Sequence, residues 1–96
     1  INRVALGSQT VSVWKNAKDL GKVAAEAANA LADGADVMSI AGVAKFSGGK
    51  KGVEMNSILL APTPITKANI NVAIDAGHIT KDQACAGVAA GAATGC

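Results

Sequence analysis

"SQTVSVWKNAKDLGKVAAEAANALADG", Ser8 to Gly34, changes period midway, and that change governs how the chain is read. From Gln9 to Lys15 the residues alternate, with Val11 and Val13 on one face and Thr10, Ser12 and Trp14 on the other. The pattern predicts a short strand rich in β-branched residues. Beyond Asn16 the spacing lengthens to threes and fours through Leu20, Val23, Ala24, Ala27, Ala28 and Leu31, one apolar stripe of a helix from Lys18 to Asp33. Asn16 can cap that helix, Asp19 in its first turn suits the dipole, and Gly34 stops it. Lys15 stands at the junction. Its ammonium offers three donors suited to hydroxyl or carboxyl oxygens. The carboxyl end of a strand is where α/β proteins often hold a ligand. A lysine kept on a loop for solubility is the plainer alternative. Strict alternation sends Trp14 to the opposite side from Lys15.

Upstream, "INRVALG" reads as the last turns of a helix stopped by Gly7, and the chain starts at Ile1 without methionine or leader. The expectation is the C-terminal part of something longer. Downstream, Val37 to Phe46 and Val53 to Leu60 flank the glycine-containing "SGGKKG", predicting a hairpin or paired extended segments. In "APTPIT", Pro62 and Pro64 cannot donate to a ladder, which predicts a connector rather than a central strand. Thr66 can cap a helix from Lys67 to Ala76, with Ile70, Ala73 and Ile74 inward and Gly77 at its end. Thr80 opens another short helix, with Gln83 at the reciprocal capping position. Strand, helix, extended pair, helix, helix is an α/β order.

Composition limits what such a chain can do. Half its 96 residues are hydrophobic, but 21 of them are alanine, and Trp14 and Phe46 are the only aromatics. A core so poor in bulky side chains is marginal on its own. The net charge is +2, and only Lys50 and Lys51 adjoin. A basic stripe with interleaved aromatics is missing, so nucleic acid is not an expected partner. No apolar run approaches the ~18–20 residues of a membrane span. Cys85 and Cys96 enclose a flexible segment with Gly87, Gly91 and Gly95. Their spacing fits no redox or zinc motif, leaving a disulfide in an oxidising compartment or two free thiols in the cytosol.

Other chemistry is thin. "FSGGKKG" lacks the spacing of a phosphate loop and reads as a solvated turn. His78 has no nucleophile to pair with and complements a helix end. Asp33 with Asp36, and Asp75 with Asp82, straddle turns without the oxygen-rich loop of a calcium site. Met38 and Met55 read as core fillers. No metal, cofactor or catalytic residue is expected.

Two stretches nevertheless carry a family resemblance. "GSQTVSVWKNAKDLGKVAAEAANALADG" and "FSGGKKGVEMNSILLAPTPITKANINVAIDAGHITKDQAC" resemble the C-terminal part of the periplasmic D-xylose-binding proteins of ABC importers, over essentially the whole chain to Cys85. The resemblance implies the C-terminal portion of a two-lobed protein of pentose- and hexose-binding type. Its α/β lobes would contain parallel sheets joined by a hinge, with sugar in the cleft. Residues 1–96 would contribute to both lobes, and Leu60 to Thr66, with Pro62 and Pro64, would be a hinge crossing. The lysine ending "QTVSVWK" matches a sugar-bonding position, so Lys15 is the implied ligand residue; the others would come from upstream polypeptide. The implied function is a periplasmic solute receptor, not an enzyme. It would bind D-xylose or a similar monosaccharide and deliver it to a membrane permease. A sugar sensor signalling to a membrane kinase is the alternative within the binding class, and a sugar-handling enzyme domain the alternative outside it.

Overall fold

The computed structural model describes residues 1–96, in the order α1 (Asn2–Leu6), β1 (Ser12–Trp14), α2 (Ala17–Ala32), a 3-10 turn (Val37–Ser39), β2 (Val43–Phe46), β3 (Met55–Ile58), β4 (Thr63–Ile65), α3 (Ile70–Asp75) and α4 (Lys81–Cys85). They form two units: Ile1–Asn16 with Pro62–Cys96, and Ala17–Ala61.

In the first unit, β1 and β4 pair antiparallel in the register Ser12–Ile65, Val13–Pro64 and Trp14–Thr63. The alternation of β1 is seen, but its valine face is the wet one. Val13 is 62% exposed, whereas Trp14 is buried in a cluster with Val4, Ala5, Ile65, Ile70, Ala84 and Ala93. The indole's larger area decides which face goes inward. α1 packs on α4 and ends at Gly7, whose φ of 89° lies in the left-handed region. The Gly7 N–H donates to the Arg3 and Val4 carbonyls, so the last turn's acceptors are satisfied.

Within the expected connector, Thr63–Ile65, with Pro64 at its centre, forms strand β4, while Pro62 lies just before it. β4 has one partner strand, so a residue without an N–H costs its sheet little. The next helix begins later than expected, at Ile70, and Thr66 does not cap it. Asn69 Oδ1 accepts from both the backbone N–H of Thr66 (2.7 Å) and its hydroxyl (3.2 Å), and Asn69 Nδ2 donates to the Pro64 carbonyl (3.0 Å). This side-chain knot offers the backbone an alternative to a first helical turn. At α4 the capping box is complete: Thr80 Oγ1 accepts from the Gln83 N–H, and Gln83 Oε1 accepts from the Thr80 N–H, each at 3.2 Å.

The second unit holds α2 and the β2–β3 hairpin, paired antiparallel from Val43–Ile58 to Phe46–Met55. α2 ends with the Gly34 N–H donating to Leu31 and the Ala35 N–H to Ala30, both at 3.0 Å. No residue of this unit is buried; Leu20, Leu31, Met38, Phe46 and Met55 all stand exposed.

The parallel-sheet α/β architecture expected above is therefore overturned. Both sheets are two-stranded and antiparallel. The reason lies in the connections. The turn between β2 and β3 only reverses the chain, whereas a parallel pair needs a crossover of about a dozen residues or more. β4 brings the chain back along β1 in the opposite direction.

Candidate functional site

Lys15 follows the last residue of β1 and is exposed. It takes part in neither the Lys22–Glu26 (3.8 Å) nor the Lys45–Glu54 (3.4 Å) ion pair. The ammonium is thus available to a ligand. Its stem continues the wet face of Val13, while Trp14 turns the other way, as alternation requires. The terminal rung of the sheet is Trp14–Thr63. The chain therefore leaves the first unit beyond Asn16 and returns at Pro62 at one and the same end of the β1–β4 pair. Lys15 and Pro62 share that end, and Pro64 sits one rung inside it opposite Val13.

The support beneath Lys15 is firm. Ile65, Ile70 and Val4 are wholly buried, and Trp14 packs on His78, ring centroids 5.5 Å apart at an interplanar angle of 49°. The Trp14 Nε1–H is buried with no hydrogen-bond partner. Such a group costs about 1–3 kcal/mol, so the indole is held for its packing. The Trp14–His78 contact had no signal in the sequence. The two residues lie far apart along the chain, and His78 reads locally only as a helix-end cation.

Cys85 and Cys96 are joined as a disulfide, Cα atoms 5.5 Å apart, at the far end of the chain from Lys15. Both cysteines pack against the cluster that holds Trp14, so the bridge belongs to the scaffold of the first unit. The second unit offers a groove of about 590 Å³ between α2 and the hairpin, lined by Val23, Ala27, Ala30, Ile40, Ile58 and Leu60 among others. Glu26 and Ser39 are the polar side chains on walls that are otherwise aliphatic, alanine or glycine, so apolar packing predominates over convergent donors and acceptors. Nowhere do three His, Cys, Asp or Glu side chains converge on a common point. Comparison with protein families, curated proteins and solved structures returns no match for this chain.

Proposed function

We propose that this chain is part of an exported monosaccharide receptor, binding D-xylose or a close relative and passing it to the permease of an ABC importer. The observation that carries the reading is Lys15, an unpaired exposed ammonium fixed at the end of a strand whose other face is anchored by Trp14. The resemblance of "QTVSVWK" and "LLAPTPITKANINVAIDAG" to the xylose-binding family supports it. So does the disulfide, which suits an oxidising compartment. In this reading Lys15 donates to a sugar hydroxyl or the ring oxygen. Further donors and acceptors come from polypeptide beyond these 96 residues. Pro62 and Pro64 limit backbone freedom where the chain crosses back, the hinge role the resemblance implies for them. Recognition needs no covalent step: a sugar lacking one hydroxyl leaves a polar group unpaired, at about 1–3 kcal/mol.

The test is calorimetric titration of the full polypeptide carrying this chain with D-xylose and deoxy-xylose analogues, alongside a turnover assay on the same sugars. One saturable site, weakened by loss of a hydroxyl and without product, is expected. Absence of binding, or sugar turnover, contradicts the proposal.

A further inference from the structure

The ten residues between the two cysteines are five alanines, three glycines, Val88 and Thr94. Such a segment has little apolar area with which to hold itself down, and each ordered glycine costs more backbone entropy than any other residue. Yet it is docked. Ala93 is 5% exposed and belongs to the cluster around Trp14, Ile65 and Ile70, while Val88 and Cys96 pack against that cluster. The Thr94 N–H donates to the Lys67 carbonyl at 2.7 Å, ahead of α3. Gly95, with φ of 97°, lies so close to α3 that a Cβ there would come within 3.2 Å of the Asn71 Cβ. At its start, Asn2 Nδ2 donates to the carbonyls of Ala84 (3.1 Å) and Ala86 (2.9 Å), tying it to α1.

We infer that residues 86–96 form a redox-released strap: the Cys85–Cys96 bridge holds them across α1 and α3 in the oxidised chain, and its reduction lets them go. The bridge closes its loop on α4, whose own start is fixed by the Thr80–Gln83 capping box. It therefore removes most of the undocked conformations open to the tail. Without it, buried Ala93, half-buried Val88 and two hydrogen bonds to other elements, Thr94 to Lys67 and Asn2 to Ala86, must order ten small residues. A dithiol reductant releases the strap by exchange. One thiolate attacks a bridge sulfur and expels the other as thiolate. The reductant's second thiolate then displaces the mixed disulfide and leaves as a cyclic disulfide. Two electrons pass to the protein, and Cys85 and Cys96 end as protonated thiols. Departure of Ala93 and Val88 bares apolar surface over Ile70 and Ala84, so the first unit is complete only where the compartment is oxidising.

The experiment is amide exchange read by mass spectrometry on the folded chain before and after dithiothreitol, repeated on the Cys85→Ser/Cys96→Ser variant. Reduction in place starts from the folded protein, so it remains decisive even where the variant fails to fold. Exchange in 86–96 should rise on the order of a hundredfold, from the loop entropy released, with Ser12–Trp14 and Thr63–Ile65 unchanged. Unchanged exchange in 86–96 overturns the strap, because packing alone would then hold it. An equal rise throughout the first unit also overturns it, because the bridge would then be holding the whole core.

Discussion

Lys15 and Trp14 are neighbours with opposite duties. The indole faces inward among Val4, Ile65 and Ile70, and the ammonium faces solvent without a partner in the chain. If Lys15 donates to a sugar, deleting its charge removes one charge-assisted hydrogen bond, worth about 1.5–3 kcal/mol. That is roughly ten- to over a hundredfold in affinity. Lys15→Met keeps the stem while removing the donor. Lys22→Met, which deletes an exposed i,i+4 pair with Glu26 on α2, is the comparison and should bind sugar almost normally. Calorimetry on both full-length variants decides the point, and equal affinities would return Lys15 to the role of a surface lysine. The two residues also mark what a sequence makes legible. Alternation assigned them opposite faces, and Trp14 is buried while Lys15 is exposed. It left open which face was buried, since two valines competed with one tryptophan. The His78 ring that packs on Trp14 was out of reach, because no local pattern encodes a contact between segments so distant along the chain.

At the scale of elements, whatever depended on neighbours in sequence was readable. Gly7 ends α1, Thr80 and Gln83 cap α4, and "SGGKKG" reverses the chain between β2 and β3. Errors arose where a side chain had a choice of partner. Thr66 looked like a helix cap but is bound by Asn69, delaying α3 to Ile70. Pro62 and Pro64 pointed to a connector rather than a central strand; Thr63–Ile65 does pair with β1, as an edge strand that tolerates a missing donor. The capping box offers a clean test. Thr80→Ala removes the acceptor for the Gln83 N–H and should cost about 0.5–2 kcal/mol, seen as a lower thermal midpoint of Trp14 fluorescence. Since Ala84 of α4 is fully buried beside Val4, loosening α4 should reach that core. An unchanged midpoint would mean that α4 is held by its packing and not by its cap.

Over the whole molecule, the sharpest contrast is in burial. All eight buried hydrophobic residues, from Val4 to Ala93, belong to the unit made by Ile1–Asn16 and Pro62–Cys96. The unit Ala17–Ala61 has none, and its helix carries the exposed Lys22–Glu26 ion pair. Isolated helices shorter than about 12–15 residues are marginal in water even when rich in alanine, and α2, with 16 residues, stands only just beyond that range. The parallel-sheet expectation failed at this scale too: the alternation of strands and helices was legible, but how strands pair depends on connections the pattern does not specify. The central claim is that only the unit carrying Lys15 possesses a core of its own, so that Lys15 stands on a support independent of α2. A urea titration followed by two probes tests it most directly. Ellipticity at 222 nm is dominated by α2, with 16 helical residues against 5, 6 and 5 in α1, α3 and α4, whereas Trp14 emission reports the core of the first unit. Ellipticity should fall at lower urea than the shift in Trp14 emission; two superimposable curves would mean one cooperative core and would contradict the account.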